Sequence, residues 1–107
     1  LELLLTRHHA NPNCRDNVGR TPLFLACIKR RDAIVSILLT KYSVDPDAQD
    51  IYGSTPLSVA ARHGCIGIVR SLLEFASVDI NSADRFGRTP LWWASSRRHS
   101  KISQLLL

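Results

Sequence analysis

The chain has 107 residues, 45% of them apolar, and carries 14 basic against 9 acidic side chains, for a formal net charge of +5. This apolar fraction is typical of packed proteins and argues against disorder. No apolar run approaches the roughly 18 residues of a membrane span, and the short Leu1–Leu5 segment, interrupted by Glu2, does not fit a signal peptide. The composition therefore indicates a folded, basic chain whose charge favours acidic partners.

A five-residue phrase, Gly-x-Thr-Pro-Leu, occurs three times at a constant spacing of 34 residues and begins at Gly19, Gly53 and Gly87. A fixed period of roughly 20 to 50 residues marks a stacked repeat array, in which no unit buries its own apolar face. The spacing predicts one array over residues 1–107. Its parts are the end of a preceding unit (1–15), units at 16–49 and 50–83, and a unit at 84–107 that lacks its exit loop.

Each unit predicts two short helices. In the unit at 50–83, Thr55 is suited to cap a helix through its hydroxyl, and Pro56 fits the first helical position, where no N–H is needed. Gly64 is suited to end that helix in a left-handed conformation. The apolar residues recur at helical spacing, with Leu57, Ala60 and Ala61 in the first helix and Ile68, Val69, Leu72 and Leu73 in the second.

The other two units repeat this pattern. An aspartate starts each turn, at Asp16, Asp50 and Asp84. The predicted inward residues are Leu23, Ala26 and Cys27, then Ile34, Val35, Leu38 and Leu39, in unit 16–49, and Leu91 and Ala94, then Ile102, Leu105 and Leu106, in unit 84–107.

The pattern Asp-x-x-Gly-x-Thr-Pro-Leu-x-x-Ala, followed by a helix ending in Leu-Leu, resembles the ankyrin repeat. The tetratricopeptide repeat shares the 34-residue period, but its Trp, Leu-Gly and Tyr signature is absent here. The resemblance implies an all-α solenoid of stacked helix–turn–helix units with turn or β-hairpin tips. We expect a fragment of a longer array, similar in its Val44-Asp45-Pro46 exit loop to the arrays of filamentous fungi.

Two departures from the ankyrin pattern stand out. The consensus His after the Leu is replaced by Phe24, Ser58 and Trp92, so the hydrogen bonds of that His to a neighbouring turn are not expected. Arg30 and Arg98 stand where the middle unit has glycine. A left-handed conformation there costs each arginine about 1 kcal/mol.

The resemblance also implies a partner-binding surface. In ankyrin arrays the turn tips and the outward face of the first helix form a concave groove where partners usually dock. The corresponding residues are Asn17, Val18, Arg20, Ile28 and Lys29, then Ile51, Tyr52, Ser54, Arg62 and His63, then Arg85, Phe86, Arg88, Ser96 and Arg97. This set is basic, has apolar tips and contains no carboxylate.

These residues predict a protein–protein interaction module, a scaffold or adaptor that binds an acidic or partly apolar protein segment in the groove. One alternative is a solvated surface without a partner. Another is a basic array that contacts nucleic acid, suggested by Tyr52 and Phe86 among arginines. Leucines at both ends of the chain add the hypothesis of end-to-end self-association.

No pattern of catalytic residues, metal ligands or cofactor-binding residues can be recognised, so we expect a protein that is not an enzyme. The histidines fall in different units, at His8, His9, His63 and His99. The odd number of cysteines, at Cys14, Cys27 and Cys65, indicates reduced thiols in a cytoplasmic or nuclear protein. Trp92 and Trp93 are both expected to pack in the core.

Overall fold

A computed structural model describes residues 13–42, 44–75 and 77–107. Within these residues the chain forms six helices and no strand. The helices are α1 (Pro22–Ile28), α2 (Asp32–Lys41), α3 (Pro56–His63), α4 (Ile66–Phe75), α5 (Pro90–Ser96) and α6 (Ser100–Leu106). Most of the predicted preceding unit, together with His8 and His9, lies outside the described residues.

The helices form two rows. Helices α1, α3 and α5 contact one another in sequence to make an inner row, and α2, α4 and α6 make an outer row in the same way. Within each unit the inner helix also packs against the outer one. The three Thr-Pro segments therefore begin neighbouring helices, and the predicted all-α repeat solenoid is confirmed.

Each inner helix starts at a threonine cap. The Oγ1 atoms of Thr21, Thr55 and Thr89 accept hydrogen bonds of 3.1 to 3.2 Å from the backbone N–H three residues later, and a proline occupies the first turn each time. In α3 a second hydrogen bond runs in the opposite direction, in which the Oγ of Ser58 accepts from the Thr55 backbone N–H at 2.9 Å. This capping box satisfies two N–H groups that the start of a helix leaves free.

The core runs along the contacts between units and contains most of the predicted inward residues. Trp93 is 7% exposed, so its predicted burial is confirmed. The same prediction is wrong for Trp92, which is 46% exposed. Its equivalents Phe24 and Ser58 are buried between units, whereas Trp92 lies on the last described inner helix, which no further described helix covers. Leu105, also predicted to face inward, is exposed.

Each inner helix is followed within two residues by a residue with positive φ, and the three positions are equivalent, as predicted. Gly64 has a φ of 73°, and the non-glycine residues Arg30 and Arg98 have φ values of 57° and 61°. The space at Gly64 is also limited, because a Cβ there would lie 2.7 Å from Cε1 of His99. Glycine is therefore favoured at 64 for two separate reasons, the backbone conformation and the close contact with His99.

The tips between units are turns organised by an aspartate. The Oδ1 atom of Asp84 accepts from the backbone N–H groups of Phe86 and Arg88, both at 2.9 Å, and Asp16 and Asp50 repeat this arrangement. In the last unit, Oδ2 of Asp84 also accepts from Nε of Arg88 at 2.8 Å. Neighbouring tips are joined by backbone bonds, of which the Arg85 N–H to Tyr52 carbonyl bond measures 3.0 Å.

Two substitutions after the inner helices are predicted to change the free energy of unfolding in opposite directions. We expect Gly64→Ala to lower the free energy of unfolding by about 1 to 2 kcal/mol, because alanine is strained at this φ and its Cβ meets the His99 ring. Arg98→Gly is expected to raise it by about 0.5 kcal/mol, since relief of strain exceeds the added freedom of the unfolded chain. Urea titrations measure the free energy of unfolding of both variants. If both changes have the same direction, the interpretation is contradicted.

The turn aspartate gives a prediction of pH dependence. Burial by itself raises the pKa of Asp84. Hydrogen bonds from the backbone N–H groups of Arg88 and Phe86 and from the Arg88 guanidinium lower this pKa by a larger amount. The pKa of Asp84 therefore lies below its ordinary value of 3.8. A lowered carboxyl pKa stabilises the fold above the unfolded-state pKa, and this contribution is lost as the pH falls through the folded-state pKa.

We therefore expect Asp84→Asn to lower the free energy of unfolding by about 1 kcal/mol at pH 7. The difference from the parent protein should shrink as the pH falls from the unfolded-state pKa of the aspartate, near 3.8, through its lower folded-state pKa. Denaturant titrations at several pH values measure this, and a difference that stays constant down to the acid transition would contradict the role of the carboxylate charge.

Candidate functional site

A concave depression of about 320 Å³ lies between the turn tips and the inner helices. We call this depression the groove. Its lining combines guanidinium groups with aromatic and aliphatic side chains, and it comprises Arg20, Phe24, Ile28, Asp50, Tyr52, Ser54, Val59, Arg62, His63, Phe86, Arg88 and Trp93.

Trp93 is the centre of a cluster of arginines. The guanidinium carbons of Arg88, Arg62 and Arg97 lie 4.5, 4.7 and 5.7 Å from the centroid of its ring. Arg62 is in the last turn of α3, Arg88 is in the tip before α5, and Arg97 follows α5 one turn after Trp93. Each contact is a cation–π interaction, which holds a guanidinium plane near the ring.

Two equivalent arginines have different partners. Nε of Arg88 donates to Asp84, which makes the one ion pair among the described residues. Arg20 has Asp16 at the same offset, yet its Nε is buried and finds no hydrogen-bond acceptor in residues 13–42, 44–75 and 77–107. The Arg20 guanidinium instead lies 5.9 Å from the Phe24 ring centroid. Arg20 therefore borders the groove with a guanidinium that Asp16 does not pair, unlike Arg88.

His63 borders the groove beside these arginines. Its pKa is lowered by burial and by the nearby positive charges of Arg62, Arg30, Arg97 and His99, in that order. The imidazole is therefore neutral at pH 7 and adds no charge to the groove.

The carboxylate in the groove belongs to the turn structure. Oδ1 of Asp50 accepts from the backbone N–H groups of Tyr52 and Ser54, both at 2.9 Å. Asp50 forms no ion pair with an arginine of the described chain. The positive charges of Arg20, Arg62 and Arg97 consequently have no paired carboxylate in the part of the chain that the structure describes.

The structure brings together part of the predicted surface. Eight of the predicted residues line the groove: Arg20, Ile28, Tyr52, Ser54, Arg62, His63, Phe86 and Arg88. Arg97 contacts Trp93 beside them. The remaining predicted residues lie outside the groove, with Asn17, Val18, Ile51 and Arg85 in the tips, Lys29 at the end of α1, and Ser96 in a separate shallow depression beside Trp92.

Four groove residues were not predicted. They are Phe24, Asp50, Val59 and Trp93; the sequence predicts a turn role for Asp50 and core packing for Trp93. Val59 and Trp93 are 34 residues apart and occupy equivalent helical positions. That equivalence was visible in the sequence, but whether such a side chain also borders the groove depends on the neighbouring unit.

The described residues also bear on metal binding, thiol reactivity and membrane insertion. In the described ranges, no three His, Cys, Asp or Glu side chains lie close enough together to hold a metal ion. Burial raises the pKa of the Cys27 thiol, which therefore remains protonated. Of the helices in the described part of the chain, none has the length and apolar character needed to cross a membrane.

The family model for ankyrin repeats (3 copies) matches residues 1–84 and 42–107, and the two stretches together span the chain. A comparison with curated proteins finds no match. Ankyrin repeats are generally protein–protein interaction modules and typically have no enzymatic activity. The period, the threonine caps, the aspartate turns and the two helical rows are thus those of the matched family, and the chain belongs to the ankyrin-repeat family.

Proposed function

We propose that the groove binds an acidic, partly apolar segment of another protein by reversible docking. The observation that carries this proposal is the charge imbalance of the groove. Three guanidinium groups, on Arg20, Arg62 and Arg97, lack a paired carboxylate within the described chain. A guanidinium makes its strongest hydrogen bonds with a carboxylate or phosphate, in a two-pronged geometry, so acidic side chains of a partner complement this surface.

The rim of the groove supports the apolar part of the proposal. Phe86 is 73% exposed and Tyr52 is 47% exposed, although both border the depression. Aromatic side chains and arginine are enriched among the residues that contribute most to binding at protein interfaces. A segment that combines acidic and apolar residues therefore contacts both features.

A basic nucleic-acid-binding groove is the competing function, since exposed aromatic rings among arginines also suit base stacking and phosphate contacts. Two features favour a protein ligand. The chain belongs to a family of protein-binding modules, and Arg62, Arg88 and Arg97 are gathered around Trp93 instead of following an extended track. A backbone of regularly spaced phosphates would be matched by such a track.

A random copolymer of glutamate and tyrosine serves as a probe for this proposal. We expect the parent protein to bind the copolymer and the double variant Arg62→Glu/Arg97→Glu to bind at least tenfold more weakly, because charge-assisted hydrogen bonds are worth about 1.5 kcal/mol or more each. Both arginines are exposed, so the fold should tolerate their replacement. Fluorescence anisotropy of labelled copolymer measures the dissociation constants.

Arg70→Glu/Lys101→Glu is the control of equal charge change, because both residues are exposed on the outer helices α4 and α6, away from the groove. It should change the dissociation constant less than twofold. Equal weakening by the control would show that net charge alone governs binding and would overturn the proposal. Tighter binding to oligothymidylate than to the copolymer, with a steep salt dependence, would also overturn it in favour of nucleic acid.

A further inference from the structure

The arginines around Trp93 form a small site within the groove. Arg62 comes from α3, whereas Arg88 and Arg97 flank α5, and all three guanidinium carbons lie within 5.7 Å of one ring centroid. The guanidinium carbons of Arg62 and Arg97 are therefore at most about 10 Å apart, since their separation cannot exceed the two distances to the centroid taken together. Both arginines are exposed, so one anionic group can approach their guanidinium groups from the solvent.

The charge of this site exceeds that of a single carboxylate. Asp84 neutralises Arg88 through the 2.8 Å ion pair, and its side chain is only 1% exposed. Arg62 and Arg97 have no such partner among the residues that the structure describes. The neighbouring His63 is neutral at pH 7 and adds nothing. Two uncompensated positive charges remain, next to an aromatic ring that excludes water from one side.

Two positive charges match a phosphate monoester better than a carboxylate. A phosphorylated serine or threonine carries a charge of about −1.5 to −2 at pH 7 and offers three acceptor oxygens. A glutamate carries one charge and leaves one guanidinium uncompensated. The cations that line the groove are all arginines, whose planar donor arrangement suits phosphate. Their contacts with Trp93 also hold the side chains in place before binding, which reduces the entropic cost.

We propose that the segment docked in the groove carries a phosphorylated serine or threonine, whose phosphate binds between Arg62 and Arg97 beside Trp93. This inference rests on the proposed function, since it names the anionic side chain of the docked segment. It makes the interaction dependent on a kinase that modifies the partner, because the same segment without the phosphate lacks the charge that the site requires.

Three randomised peptide libraries that differ only in a fixed central residue test this proposal. The central residue is phosphoserine, glutamate or glutamine. We expect the phosphoserine library to be retained preferentially. An individual peptide selected from it should bind about tenfold more tightly than its glutamate counterpart, the difference that one additional charge-assisted hydrogen bond provides.

The variant Arg62→Gln/Arg97→Gln should bring the ratio of the two dissociation constants close to one, while Arg70→Gln on α4 should leave it unchanged. If the double variant does not fold, the ratio measured with the parent protein still decides the matter. NMR titration of His63 provides a second readout. A phosphate between Arg62 and Arg97 stabilises the imidazolium, so the pKa of His63 should rise from its lowered value.

The possible outcomes separate this inference from the proposed function. Equal or tighter binding of the glutamate peptide overturns the phosphate site but leaves the acidic-segment proposal intact. Retention of the glutamine library as strong as that of both acidic libraries overturns both. A phosphoserine preference that survives in the folded double variant, or an unchanged pKa of His63 in the bound state, places the phosphate elsewhere and also overturns the assignment.

Discussion

Each helix pair has an apolar flank that only the next pair covers, and the packing of α1, α3 and α5 against one another is the contact on which the other features depend. Small side chains make this contact close, since Ala60, Ala61 and Ala94 are completely buried along the inner row. The same packing fixes the distance between successive turn tips. It therefore sets the positions of the groove residues, which different units contribute.

Equivalent positions in the three units have acquired different environments. Arg88 is held by Asp84, whereas Arg20 keeps a buried Nε without an acceptor in the described part of the chain. Phe24 is buried between units, but its equivalent Trp92 is largely exposed. The repeat thus supplies one backbone arrangement. The chemistry of each unit depends on the side chains that its neighbours bring close.

The distribution of charge follows from how the carboxylates are used. Asp50 and Asp84 accept backbone hydrogen bonds within the turns. In the exit loops, Oδ1 of Asp47 accepts from the backbone N–H of Asp79 at 3.0 Å and so joins one loop to the next. These aspartates are committed to backbone contacts that hold the array together. The groove arginines are left with excess positive charge, which is the basis of the proposed recognition of an acidic or phosphorylated segment.

Local features of the fold could be predicted from the sequence because they depend on residues close together in the chain. The Thr55 cap, the Asp84 turn and the left-handed conformations of Arg30 and Arg98 involve partners within four residues or the backbone of the residue itself. The 34-residue period then determined that the units stack, since a single helix pair cannot bury its apolar residues alone.

The character of the groove was decided only by the tertiary structure. The sequence placed Arg62, Arg88 and Arg97 on one surface, but the approach of Arg62 to Trp93 depends on how α3 and α5 pack. This contact joins residues 31 positions apart in the chain. The exposure of Trp92 and the missing acceptor of Arg20 in the described residues likewise depend on which side chains surround them. Spacing along the chain does not specify such surroundings.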